Sequence, residues 1–201
     1  MLDAPLRRRL DPALDALGRR LARAGLDANA VTLAGFAIGI LSFPALAAEQ
    51  YGVALALILL NRAADGLDGA IARARGPSDL GAYLDIVLDF IFYAGVPVAF
   101  AIARPEHALM AAFLVFTFVG TMASFLGFAI IAAKRNLSTA ARGRKTIYYL
   151  GGLAEGTETI LFMVAICLFP DAFAWIGGVF ALLCWVTTGS RIAQAVAAFR
   201  K

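Results

Sequence analysis

Four aspartates stand where the surrounding chain is otherwise fit for lipid. Asp65 and Asp68 lie in Asn61-Arg62-Ala63-Ala64-Asp65-Gly66-Leu67-Asp68-Gly69-Ala70-Ile71-Ala72-Arg73, and Asp85 and Asp89 in Gly81-Ala82-Tyr83-Leu84-Asp85-Ile86-Val87-Leu88-Asp89. The first pair is three residues apart and the second four, so each occupies one face of a helix. An ionisable group in a membrane span costs about 2.5–3.5 kcal/mol on insertion scales, so such groups face a cavity and act there. Carboxylates gathered in low dielectric stay ionised only with cations among them. Oxygen donors with no histidine beside them select a hard ion, Mg2+, Mn2+ or Ca2+, over zinc. Four such groups suit two ions sharing bridging ligands, an arrangement that clamps phosphoryl oxygens.

The neighbours of the aspartates fit that chemistry. Gly66, Gly69 and Gly81 remove side chains beside the carboxylates, so a bulky phosphorylated ligand reaches the backbone. Arg73 offers a guanidinium fork for phosphate. A rival reading pairs the aspartates with Arg62, Arg73 and Arg75; it accounts for charge but not for the glycines or the shared faces. Asp79 caps or begins the span that carries Asp85.

The elements that must hold these residues are membrane helices. The chain has 201 residues, 61% hydrophobic and only 16% charged, with a mean hydropathy of +0.79. A soluble domain sits near a quarter charged, and disorder, collagen-like repeats and a disulfide scaffold are excluded by the same composition. Apolar stretches at 31–48, 51–74, 79–103, 108–133, 147–169 and 172–198 read as six transmembrane helices. Alternating ten-residue segments, the mark of a barrel, are missing. The short break between the second and third spans makes them an antiparallel hairpin whose ends bring the two aspartate pairs together. Residues 1–28 do not read as a secretory signal. Leu10, Leu14, Leu17 and Leu21 recur among arginines, as in an amphipathic helix lying along the headgroup plane. The expected organisation is therefore all-α: an amphipathic juxtamembrane segment over 1–28, then a six-helix transmembrane catalytic domain over 29–201.

The charge of +4 is distributed as topology selects. Basic residues crowd the N-terminus (Arg7, Arg8, Arg9, Arg19, Arg20, Arg23) and one loop (Lys134, Arg135, Arg142, Arg144, Lys145), while the opposite loops offer only Arg104. With six spans the positive-inside rule places both termini and the aspartates on the cytoplasmic side of an inner or plasma membrane. No stacking aromatics interleave the basic clusters, which speaks against nucleic acid. Cys167 and Cys184, both inside apolar runs, read as small hydrophobes. Phe90, Phe92, Phe116 and Phe118 read as packing or lipid-facing residues, and Gly120, Ala123 and Gly127 as a close helix contact or a homodimer seam.

The acidic block resembles the signature of the CDP-alcohol phosphotransferase (CDP-alcohol phosphatidyltransferase) family: Asp-x2-Asp-Gly-x2-Ala-Arg, a spacer, then Gly-x3-Asp-x3-Asp. Here it runs Asp65, Asp68-Gly69, Ala72-Arg73, Gly81, Asp85 and Asp89, with a spacer of seven residues, Ala74 to Leu80, where eight is frequent. Asn29 and Thr32, before the first span, are similar to the family's opening segment. The resemblance implies displacement of CMP from a CDP-linked donor such as CDP-diacylglycerol by an acceptor hydroxyl. It implies two divalent ions, Mg2+ or Mn2+, on Asp65, Asp68 and Asp85, with Asp89 assisting as a ligand and acting as the general base. Asp68, Gly69, Ala72, Arg73 and Gly81 would line the cytidine diphosphate pocket.

The acceptor stays open among glycerol phosphate, inositol phosphate, serine and other alcohols. Arg191, buried in the last apolar run, Lys134 and Arg142 are the candidate acceptor-binding cations, although loop cations also serve topology. Glu155-Gly156-Thr157-Glu158-Thr159 departs from the inositol-phosphate-type pattern, which carries arginines among the glutamates. Glu155 and Glu158 either pair with Arg191 or a loop cation, or favour a neutral or cationic acceptor. A divalent-cation transporter or channel using the aspartates as its path is the alternative. The clustering of the carboxylates at one end of their spans weighs against it.

Overall fold

The leucine period of the N-terminal segment becomes α1, Asp3–Arg23. It ends where Gly25 adopts φ +89°, with the Gly25 and Leu26 N–H groups donating to the carbonyls of Ala22 and Leu21 at 3.1 Å each. That left-handed turn is a Schellman ending, which a glycine adopts without strain. The Asp27 carboxylate then accepts from the Ala30 N–H at 3.1 Å and starts α2, Ala28–Ile40. The structure, a computed structural model, describes residues 3–135 and 152–200.

A bend at Leu41 separates α2 from α3, Ser42–Ala47. Pro44 sits in the first turn of α3, where its missing N–H breaks no helical bond. The long helices α4, Tyr51–Arg75, and α5, Asp79–Ala103, follow. Between them Gly76 takes φ +102°, and the Ser78 hydroxyl caps α5 by accepting from the Gly81 N–H at 3.0 Å. Asp79 therefore begins the helix and Ser78 caps it. The remaining described helices are α6, Ala108–Lys134, α7, Gly156–Leu168, and α8, Phe173–Phe199, with short 3-10 turns at Pro105–His107 and Pro170–Ala172.

The expected all-α membrane architecture is what forms. Four stretches are long and apolar enough to cross a membrane by length and composition: Ala28–Ala47, Asp79–Ala103, Pro105–Lys134 and Pro170–Phe199. The other two expected spans differ in kind. Helix α4 has 25 residues, but Arg62, Asp65, Asp68, Arg73 and Arg75 load its second half with charge. Helix α7 has 13 residues within the described chain. Large apolar side chains point outward, among them Ile102, Leu109, Trp175 and Leu182, as a lipid-facing surface requires. The chain is an integral membrane protein.

The core is aromatic. Phe100 stacks on Phe173 with ring centroids 4.1 Å apart, and Phe162 on Phe180 at 4.6 Å. His107 packs against Phe173, and Cys167 and Cys184 are buried free thiols, the cysteines in keeping with their reading as small hydrophobes. At the far end from the acidic block, Arg104 pairs with Asp171 and Glu49, tying three connections together.

The two aspartate-bearing helices meet through side chains, as Arg62 to Asp89 shows, and not through close backbone packing. Helix α2 packs against both α4 and α5 and holds their backbones apart. Two glycines permit this. A Cβ at Gly35 would sit 2.7 Å from the Ala64 Cβ, and one at Gly39 would sit 2.8 Å from the Asn61 side chain. Asn61 Nδ2 donates to the Gly35 carbonyl at 2.8 Å, fixing the register of α2 on α4. What α2 wedges open becomes a cleft.

Candidate active site

Helix periodicity turns Asp65 and Asp68 of α4 toward that cleft, and Asp85 and Asp89 of α5 face them across it. The cleft is lined by Thr32, Asn61, Arg62 and all four aspartates; it spans about 250 Å3 with its open mouth and encloses about 10 Å3. The enclosed part holds roughly one water-sized body, the scale of an ion. One carboxylate oxygen from each of Asp65, Asp68 and Asp85 lies within 4.8 Å of the others.

The donor set fits a hard divalent cation. It is oxygen only, anionic and drawn from two helices. Asp68 is 5% exposed, and its Oδ2 is buried with no hydrogen-bond partner among the described residues. A buried carboxylate oxygen left without a partner is costly unless a cation meets it. Asp65 and Asp85 are more open, as ligands at the mouth of a cleft must be.

Asp89 is differently placed. Arg62 Nη2 donates to Asp89 Oδ1 at 2.8 Å, and the Tyr93 hydroxyl donates to Asp89 Oδ2 at 3.0 Å. Arg62 Nη1 donates to the Tyr93 hydroxyl at 2.6 Å, and its Nε donates to Asn61 Oδ1 at 2.8 Å. The guanidinium carbon sits 5.0 Å from the centroids of both the Phe92 and Tyr93 rings. Arg62 also reaches Asp65 Oδ2 at 3.7 Å, with its own side chain only 7% exposed. Asp89 thus lines the cleft beside the other three without joining their cluster. The pairing reading was right for this one aspartate. Helical spacing carried the signal: Arg62 precedes Asp65 by three residues, and Tyr93 follows Asp89 by four.

The expected nucleotide-lining residues gather at one end. Asp68, Gly69, Ala72 and Arg73 occupy the last turns of α4, and Gly81 the first turn of α5. A Cβ on Gly81 would sit 2.9 Å from Asn29 Oδ1 and 3.0 Å from Ser78 Oγ, so this glycine makes room for the segment before α2. Gly66 has another use than expected, since it faces Leu14 of α1. Arg73 is held by α1 as well, its Nε and Nη2 donating to Asp15 Oδ1 at 3.0 and 2.7 Å. Arg75 Nη1 donates to the Leu26 carbonyl at 2.7 Å. The sequence reading missed this lashing of α1 to the site, because Asp15 and Arg73 are 58 residues apart.

The candidate acceptor cations do not meet the acidic cleft. Arg191 of α8 donates from Nη1 to the Thr121 carbonyl at 3.0 Å and lies over the Phe125 ring. It lines a separate, mostly apolar groove of about 510 Å3 between α6 and α8, which shares no described lining residue with the acidic cleft. Lys134 is exposed at the end of α6, and Arg142 lies outside the described residues. Glu155 and Glu158 form a capping box: the Glu155 side chain accepts from the Glu158 N–H, and Glu158 Oε2 accepts from the Glu155 N–H at 3.2 Å; Glu155 Oε1 also accepts from the Gly152 N–H at 3.0 Å. Of the small-residue stripe, Gly120 faces Thr188 and Trp185 of the same chain.

A family profile described as CDP-alcohol phosphatidyltransferase matches residues 26–189, which include all four aspartates and the glycines between them. The chain belongs to that family. It is a phospholipid-synthesis transferase of the membrane-embedded, metal-dependent kind. Among its relatives is the inner membrane protein YnjF of Escherichia coli, 51% identical over 193 residues, covering 96% of this chain and 94% of that one. Another is an archaetidylinositol phosphate synthase of Pyrococcus horikoshii, 26% identical over 191 residues and covering 94% of both. The fold is shared with the phosphatidylinositol phosphate synthase of Mycobacterium tuberculosis crystallised with CDP-DAG bound. That match has a TM-score of 0.67 at 20% identity, covering 91% of this chain and 93% of the other. The same enzyme in complex with manganese and citrate gives a TM-score of 0.66 at 20% identity, covering 90% and 88%.

Proposed function

We propose that the chain moves a phosphatidyl, or related phospho-alcohol, group from a CDP-linked lipid such as CDP-diacylglycerol to the hydroxyl of an acceptor alcohol, releasing CMP. The observation that carries this reading is the convergence of one carboxylate oxygen each from Asp65, Asp68 and Asp85 within 4.8 Å, on a cleft where Asp68 is itself buried. Asp65, Asp68 and Asp85, with Asp89 beside them, hold the divalent metal, Mg2+ or Mn2+ and two ions when full. Bound there, the metal neutralises the diphosphate and the charge that develops on CMP as it leaves.

The chain's own residues supply the rest. Asp89 takes the proton of the acceptor hydroxyl, since a hydroxyl is a poor nucleophile until a positioned base removes it. Arg62 and Tyr93 fix the direction in which that carboxylate faces. Gly69, Ala72 and Gly81 leave the backbone open to the nucleotide, and Arg73 exchanges Asp15 for a phosphate oxygen. The acyl tails stay among the helices, which is why the site belongs in a membrane. Helix α1 lies along the cytoplasmic headgroup plane, both termini and the cleft face the cytoplasm, and the chain works as a homodimer. The arginine-rich α1, packed against the charged half of α4, supports that orientation.

The archaetidylinositol phosphate synthase among the relatives makes an inositol phosphate the first acceptor to try. The full chain in detergent, given Mg2+ or Mn2+, CDP-diacylglycerol and inositol phosphate, glycerol phosphate or serine, should release CMP with one acceptor class. Asp68→Ala should lower that release by about two orders of magnitude or more. Unchanged release in this variant overturns the assignment, and divalent-cation flux through liposomes without nucleotide would favour a transporter.

A further inference from the structure

The second divalent position in this cleft has a competitor built into the chain. Both oxygens of Asp89 are engaged by protein donors, Arg62 Nη2 at 2.8 Å and the Tyr93 hydroxyl at 3.0 Å. The guanidinium is not a passing contact. It is nearly buried, pinned by Asn61 and Tyr93, and flanked by two aromatic rings. From the same place it stands 3.7 Å from Asp65 Oδ2, so its positive charge bears on two of the four carboxylates. Asp68 differs: its Oδ2 is buried and has no hydrogen-bond partner among the described residues.

We infer that Arg62 is a positioning residue that splits the cleft into two unequal cation positions. The first, on Asp65, Asp68 and Asp85, is ready for a divalent ion. The second requires Asp89 to leave Arg62, so Arg62 weakens it and sets its occupancy. Arg62 and Tyr93 also fix the direction of that carboxylate before the second ion arrives. This inference rests on reading the acidic cleft as a metal centre.

Mn2+ titration of the purified full chain, followed by electron paramagnetic resonance and calorimetry, tests both layers separately. The wild type should bind one ion tightly and a second more weakly. Arg62→Gln should tighten the second by about 10- to 100-fold, the size of effect that neighbours of metal ligands exert. Arg62→Lys, which keeps the charge, should restore most of the inequality. Tyr93→Phe, which removes one donor to Asp89 and one brace on Arg62, should tighten the second ion to a smaller degree, and it stands in if Arg62→Gln does not fold. Two ions of equal affinity in the wild type, or a second affinity unmoved in both Arg62→Gln and Tyr93→Phe, overturns the role of Arg62. Tight Mn2+ binding that survives Asp68→Asn overturns the metal-centre reading itself, whatever Arg62 does.

Discussion

Asp89 and Asp68 have the same side chain, yet their surroundings divide the labour between them. Asp68 is buried with an oxygen left open, the condition of a ligand waiting for a cation. Asp89 is held by two donors that orient it and leave it accessible from the cleft, the condition of a base. Asp89→Asn removes the proton acceptor while keeping the shape, and the amide can still accept from Arg62 or Tyr93. It should lower kcat by about 10²- to 10⁴-fold, the usual worth of a general base, with a smaller change in KM for the CDP-lipid. Steady-state CMP release read at several donor concentrations checks this; a kcat within a few-fold of wild type would remove Asp89 from that role. The four aspartates were legible in the sequence because ionisable groups at helical spacing stand out in an apolar chain. The partner of Asp89 was half-legible. Arg62 was visible as a candidate pair, but sequence spacing could not say which aspartate it would choose across 27 residues.

At the scale of elements, the cleft exists because α2 stands between α4 and α5. Gly35 and Gly39 carry that packing, and Gly35 also lines the cleft. Gly35→Val should push α2 off Ala64, since even the first added carbon would sit 2.7 Å from that side chain. An overpacked contact of this kind costs about 1–3 kcal/mol. Thermal unfolding of the detergent-solubilised variant should show a lowered Tm together with weaker Mn2+ binding. A lowered Tm with unaltered metal affinity would mean that α2 supports the fold but not the cleft. The helices themselves, and most of their boundaries, followed from apolar runs broken by Pro, Gly and charge. The separation of α4 from α5 did not, because a short connection implies neighbours and says nothing of a third helix wedged between them. The glutamates of the α7 cap were hidden for a related reason: a helix N-terminus and an acceptor site both ask for carboxylates, and only the position of the backbone N–H groups tells them apart.

Across the whole molecule, the aromatic core runs up to the acidic cleft, where Phe92 and Tyr93 flank Arg62. The stacked core formed by Phe100, Phe173, Phe162 and Phe180 fixes the long helices, while the charged half of α4 is left to α1, α2 and the cleft. Asp15 on Arg73 and Leu14 against Gly66 fasten α1 to the charged half of α4, the helix that carries two of the four aspartates. A basic α1 packed on the charged half of α4, beside an acidic cleft, suits an anionic, metal-requiring reaction at a membrane surface. That arrangement depends on where the cation sits. Crystals of the full chain grown with Mn2+ and measured at the manganese absorption edge locate it directly. An anomalous peak among the facing oxygens of Asp65, Asp68 and Asp85, lost in Asp68→Asn, is the result expected; manganese elsewhere in the chain, with none between those three carboxylates, would contradict it.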